Sequence, residues 1–242
     1  MNSAGLAVTA NSPMSSEDYV PISYIDRDGI YHEISPKMVF PLMLARRVFL
    51  QYRLFSEGLV AINAFPRHVS GNLHVATGDG FGIALEASPN RIYKVYGDID
   101  DNCVIHTNHR PIWVSLRVYD VDDRSPGGSS WFRWQQVEKR IQKYRHGNFT
   151  PEFIKLVFLD HSNYPESVCS HPNFNQKNPP DNALTGYTSR RRLTVAFVMY
   201  DLTEKTITCC KGGPCSGVMQ KLNLIDVYRN ALVLHVTISI ES

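Results

Sequence analysis

Between Gly71 and Tyr96 the chain carries three short β-prone runs in succession, separated by the turn formers Gly78-Asp79-Gly80 and Ser88-Pro89-Asn90. The runs Gly71 to Thr77, Gly80 to Ala87 and Arg91 to Tyr96 are β-branched or alternate in polarity. Connections this short can join only antiparallel neighbours, so the sequence predicts a meander that other elements must cover. Helical spacing appears just before it. Val39, Leu42, Met43, Val48, Phe49 and Leu50 recur at three- and four-residue intervals between Pro36 and Arg53, as on an amphipathic helix started by Ser35-Pro36. A second helix is expected to begin at Ser56, with Glu57 in its first turn and Leu59, Val60 and Ile62 on one face, and to end near Pro66.

The remaining elements alternate in blocks. Met1 to Asn11 is small and apolar with no helical period, which fits a buried strand, and a domain seldom opens on a core strand, so a segment upstream is expected. Pro13 to Pro36 reads as a connection or irregular hairpin turning at Asp28-Gly29. Ser130 to His146 restores helical spacing through Trp131, Trp134, Val137 and Ile141, and Thr150-Pro151-Glu152 opens another helix. After a polar, proline-containing stretch from His161 to Ser189, Leu193 to Tyr200 and Lys205 to Cys210 pair as strands across Asp201-Leu202-Thr203-Glu204. Helices packed on antiparallel sheet make this an α+β chain.

Composition removes several classes of function. The net charge of +2 and pI near 8.2 come with acidic and basic residues intermixed, which supplies no basic stripe for nucleic acid. No apolar run reaches the roughly 20 residues of a membrane span, and no secretory signal is visible. Five cysteines, an odd number, point to reduced thiols and an intracellular compartment rather than a disulfide framework. Cys209, Cys210 and Cys215 lack a matching Cys or His pair downstream, so neither a metal nor another cofactor is expected.

The densest chemistry lies in Val104-Ile105-His106-Thr107-Asn108-His109, read as a strand that delivers an amide, a hydroxyl and two imidazoles to a polar tip. Cys103 stands three residues before His106. On a strand that spacing puts the two on opposite faces, which favours a structural thiol over a Cys-His pair. Asp160-His161 and His171 suggest a dyad, although a histidine beside the last carbonyls of a helix is the commoner arrangement. Trp131 and Trp134 are expected to pack the sheet rather than line a pocket.

Taken together, Asn2-Ser3-Ala4-Gly5-Leu6-Ala7-Val8, Leu85-Glu86-Ala87-Ser88-Pro89, His106-Thr107-Asn108-His109, Ser130-Trp131-Phe132-Arg133, Asp160-His161, Tyr164-Pro165-Glu166-Ser167-Val168-Cys169 and Gly213-Pro214-Cys215 resemble the isopenicillin-N acyltransferase family of cysteine N-terminal-nucleophile hydrolases. The resemblance implies a four-layer αββα sandwich, incomplete at its N-terminus, over residues 1–224, with 225–242 as a divergent, β-prone tail. It further implies self-cleavage at a Gly-Cys bond, acyl transfer or amide hydrolysis through a thioester on the freed cysteine, and an oxyanion donor at Asn108. The implied substrates are a small-molecule acyl donor, acyl-coenzyme A or an amide, and an amine acceptor. Ser189-Arg190 or Arg191 matches the family's Ser-Arg pair, so Arg190 and Arg191 are candidates for holding a substrate carboxylate, with a solvated basic strand end as the alternative.

The chain departs from the pattern at the nucleophile. In the family the Gly-Cys-Thr segment precedes the Asn-Ser-Ala-Gly stretch, and no cysteine here stands in that context. Two functions are therefore weighed first, an acyltransferase or amide hydrolase whose nucleophile is absent from these residues, and an inactive, truncated or degenerate family member or one part of a heterodimer with a separate N-terminal chain; an unrelated binding domain is a distant third.

Overall fold

The structure, a computed structural model, describes residues 1–19, 22–34, 42–64, 67–89, 91–96, 103–109, 123–124, 129–144, 149–172 and 193–227. They fall in two compact units, Met1–Trp131 and Phe132–Ser242. In the first unit the meander forms as β4 (Gly71–Thr77), β5 (Gly82–Ala87) and β6 (Ile92–Val95), and β1 (Leu6–Asn11) adds to its edge in the order β1-β4-β5-β6, antiparallel throughout. At the β4–β5 turn Thr77 N donates to Phe81 O at 2.8 Å, and Gly80 takes a φ of +93° that a side chain would resist. Residues Pro13 to Pro36 contain a hairpin of β2 (Ile22–Ile25) and β3 (Tyr31–Ile34) closed around Asp28-Gly29.

Register sorts this four-stranded sheet into two chemically different faces. Val8 pairs with Val75 and Val75 with Ile83, while Leu73 pairs with Ala10 and Leu85; with Leu6 they form the apolar face. Against it pack α1 (Leu42–Phe49) and α2 (Phe55–Ala64), whose Ala45, Phe49 and Ile62 join the same buried cluster. Fully burying such side chains contributes roughly 1.5–3 kcal/mol each. Asn2 secures the corner: its Oδ1 accepts from Ala4 N and Leu6 N at 3.1 and 3.0 Å, and its Nδ2 donates to Leu50 O and Tyr52 O at 3.0 and 2.8 Å. One amide thus ties the start of β1 to the residues just beyond α1.

In the second unit α4 (Pro151–Phe158) begins as its sequence dictates, with Thr150 Oγ1 accepting from Phe153 N at 3.2 Å and Pro151 in the first turn. β7 (Ala196–Asp201), β8 (Thr206–Lys211) and β9 (Gln220–Asn223) form an antiparallel sheet in that order. Phe158 of α4 meets Phe197 of β7 with ring centroids 5.5 Å apart. α3 (Ser129–Gln142), whose first three residues belong to the first unit, supplies the helix expected from Ser130.

Two expected strands change. Residues 103–109 are not a strand, because side chains rather than a backbone ladder fix them, as described below. Cys103 and His106 are therefore not set on opposite faces of a strand. β7 starts at Ala196 rather than Leu193 because the backbone before it turns to another partner: Thr194 N donates to Ser170 O. The α+β class holds, with helices against antiparallel sheet. Most of the proposed C-terminal tail, residues 228–242, lies outside the described residues.

Candidate functional site

The second face of the β1-β4-β5-β6 sheet is polar where it meets the His106 segment. Asn11 pairs with Asn72, Asn72 with Glu86, and Glu86 with Tyr93, so these side chains form one cross-strand row. Asn72 and Glu86 are fully buried. His74 lies two residues along β4 on the same face.

His106 lies on this row. Its Nε2 is 3.0 Å from Glu86 Oε1 and its Nδ1 is 2.9 Å from Asn11 Nδ2, while Asn72 Nδ2 donates to Asn11 Oδ1 at 2.9 Å. Asn11 Nδ2 also donates to Thr107 O, which lies 2.5 Å from His106 Nδ1. Both imidazole nitrogens are engaged, and the His106 and Glu86 side chains are 1% and 0% exposed. This geometry ties the His106 segment to the polar face of the sheet. Beside it, ring centroids 5.8 Å away, burial pushes the His74 imidazole down to about 4, with His106 adding to the shift.

The next residues are held by the start of α3. Ser130 Oγ accepts from Asn108 N at 2.9 Å, lies 2.8 Å from His109 Nδ1 and donates to Thr107 Oγ1 at 3.1 Å; Thr107 Oγ1 donates to Ser130 O at 3.2 Å. His109 stacks on Trp131 with centroids 3.6 Å apart. A Ser-His contact invites comparison with a nucleophile and its base. Here Ser130 and His109 are each 2% exposed, and the imidazole nitrogen is shared with Thr107, which is 3.0 Å away; the contact is architectural.

Asn108 differs from its neighbours. Its backbone is fixed, yet its side chain is only partly buried, and Nδ2 reaches Ser12 O at 3.5 Å, the long limit of a hydrogen bond. His106 and His109 on either side are locked away, so the segment presents an amide rather than an imidazole. A chain with these motifs in this order, around an amide held in this way, can be assigned. A family model described as acyl-coenzyme A:6-aminopenicillanic acid acyl-transferase matches residues 1–215. The chain belongs to that family. No curated protein matches it.

Membership of the acyltransferase family accounts for the motifs, and the structure shows what several of them do. Asn2 braces a corner, Glu86 anchors His106, and Ser130 clamps Thr107, Asn108 and His109. Asn11 and Asn72 were not singled out as contributors from the sequence, and Ser130 stood out there only as part of the Ser130-Trp131-Phe132-Arg133 motif. The available signal was a charged Glu86 inside the apolar run Ile83-Ala84-Leu85, where an unpaired carboxylate would be costly. Trp131 is 38% exposed and stacks on His109, contrary to its expected place against the sheet. Among the described residues Asp160 forms no dyad with a histidine: Arg140 Nη2 reaches its Oδ1 at 2.5 Å, and Ser162 Oγ donates to the same atom at 2.7 Å. His161 instead faces His171, with Nε2 atoms 3.0 Å apart. Arg190, Arg191 and Arg192 lie outside the described residues. Among the described residues, no helix is long and apolar enough to cross a membrane.

Proposed function

We propose that the chain carries the oxyanion-binding half of an acyltransferase or amide hydrolase that acts through a cysteine thioester, with Asn108 as the donor. The observation that carries this reading is the contrast within one short segment: a partly exposed Asn108 side chain sits between two histidines whose rings are buried and engaged. An amide suits the task because it donates a hydrogen bond without titrating. Held in place before reaction, it stabilises the charge on the tetrahedral intermediate without reorganising as that charge develops. The reading includes the four-layer αββα arrangement over residues 1–224, Arg190 and Arg191 as carboxylate-binding groups, and a small acyl donor with an amine acceptor as substrates.

The acyl-carrying cysteine in this reading is not one of the five present, since none follows glycine and precedes threonine. The same observation supports a second reading, an inactive member of the family or one part of a heterodimer. A form with a Gly-Cys-Thr segment placed ahead of residue 1 separates the two. Acyl transfer to an amine, or hydrolysis of an amide, is expected from that form. Asn108→Ala should then lower kcat by on the order of a hundred- to a thousandfold with little change in substrate binding. Asn108→Asp should lose more, because a carboxylate repels the developing charge. Near-normal turnover in Asn108→Ala would remove Asn108 from the mechanism, and silence of the restored form would favour the inactive reading.

A further inference from the structure

In the second unit, remote in sequence from Asn108, four soft or borderline donors converge. His161, Cys169, His171 and Cys215 place one ligand atom each within 4.8 Å of one another. His171 Nε2 is 3.0 Å from His161 Nε2, 3.8 Å from Cys169 Sγ and 3.6 Å from Cys215 Sγ, and the two sulfurs are 3.5 Å apart. A neutral imidazole nitrogen has at most one hydrogen to offer. Three electron-rich atoms around this one cannot all be served by it, whereas a cation at the centre serves all four.

The distances identify the class of cation. With Zn–S of about 2.3 Å and Zn–N of about 2.05 Å, a tetrahedron has edges of about 3.8 Å between sulfurs, about 3.3 Å between nitrogens and about 3.6 Å between nitrogen and sulfur. The four separations given above are each within about 0.3 Å of the ideal edge, and the two from His161 to the sulfurs are within 4.8 Å. We propose that His161, Cys169, His171 and Cys215 bind one structural Zn²⁺ ion that joins the loop after α4 to the turn after β8. Four protein ligands close the coordination shell, so the ion braces rather than catalyses. On binding, each thiol gives up its proton and each histidine donates a lone pair, so one Zn²⁺ releases two protons to solvent.

The surrounding backbone is shaped for this assembly. Cys169 N donates to Asp160 O at 3.0 Å, His171 N to Pro165 O at 2.9 Å and Gly217 N to Gly213 O at 2.9 Å. These bonds set both ligand-bearing loops without using the ligand atoms. A Cβ at Gly213 would stand 2.7 Å from Cys169 Sγ and 3.4 Å from Cys215 Sγ, so the close approach of the two thiols requires glycine there. Cys209 and Cys210 lie on β8 outside the cluster. Spacing along the chain had grouped them with Cys215 and had left Cys169-Ser170-His171 unused.

The test is metal analysis of the full chain purified under reducing conditions and incubated with zinc, followed by cobalt substitution. Expected are about one zinc per chain and, with Co²⁺, the visible absorption of a tetrahedral, thiolate-ligated ion. Because His161 and Cys215 are exposed, His161→Gln and Cys215→Ser should fold and lose the stoichiometric metal, while Cys209→Ser should keep it. A wild-type chain that retains no zinc, zinc retained by both ligand variants, or a cobalt spectrum without thiolate bands would each overturn the site. The wild-type measurements need no variant, and they read nothing from acyl transfer, so failure here is distinct from failure of the role given to Asn108.

Discussion

His74 shows how a single buried side chain sets a pH limit. Its imidazole is held neutral, lowered to about 4 by burial and by His106, and among the described residues its buried Nε2 has no hydrogen-bond partner. In the unfolded chain a histidine titrates near 6.5. Between about 4 and 6.5 the unfolded state therefore binds more protons, and stability rises with pH. The contribution is fully present above about 6.5 and is lost as pH falls towards 4. Urea denaturation at pH 7 and pH 5 is expected to differ by about 2 kcal/mol from this group alone, at about 1.4 kcal/mol per pKa unit. His74→Gln should flatten that difference, and an unchanged slope would show that other groups carry it. The same scale explains His106: removing it leaves Glu86 buried without its partner, so His106→Ala should reduce the folded population rather than the turnover of folded molecules.

At the scale of elements, the contact between α1 and α2 depends on a missing side chain. Gly58 is buried in α2, and a Cβ there would stand 2.5 Å from Phe49 Cδ2 and 2.7 Å from Cε2. Phe49 is 0% exposed and belongs to the sheet's apolar cluster, so its ring has no room to withdraw. Gly58→Ala gains about 1 kcal/mol in helix propensity. Overpacking typically costs about 1–3 kcal/mol, so the net effect is expected to be a lower thermal midpoint; a raised one would mean that α2 slides on α1 without penalty. Elements of this kind were legible in the sequence because period and punctuation agree. Thr150-Pro151 opens α4, and Gly71 to Thr77 is β4 with both bounds as expected. The Val104–His109 segment was misread because its β-branched lead-in carries local propensity only. What fixes it are contacts from Asn11, Glu86 and Ser130, distant in sequence and silent in any local window. The tetrad of His161, Cys169, His171 and Cys215 was hidden for the same reason, since two loops supply it.

For the molecule as a whole, what the chain can do as it stands depends on its thiols. An N-terminal cysteine nucleophile combines a thiol with its own α-amine as base, and the surroundings of Cys169, Cys210 and Cys103 do not match that arrangement. Burial pushes the Cys169 thiol up to about 11, with the neighbouring Cys215 thiol adding to the rise, the reverse of an activated nucleophile in the metal-free chain. Cys210 is buried where a Cβ on Gly217 would stand 2.6 Å from its sulfur, which leaves no space for a substrate carbonyl at that point. Cys103 is partly buried, in a segment that continues directly into the fixed His106 and Thr107. The 242-residue chain is therefore expected to keep its uncut mass on prolonged incubation and to form no thioester with an acyl-coenzyme A or an activated amide at neutral pH. Intact-mass spectrometry reads both outcomes at once. A new N-terminus at Cys103, or an acyl adduct on that thiol, would show that the nucleophile lies within these residues after all and would return Cys103 to the reaction beside Asn108.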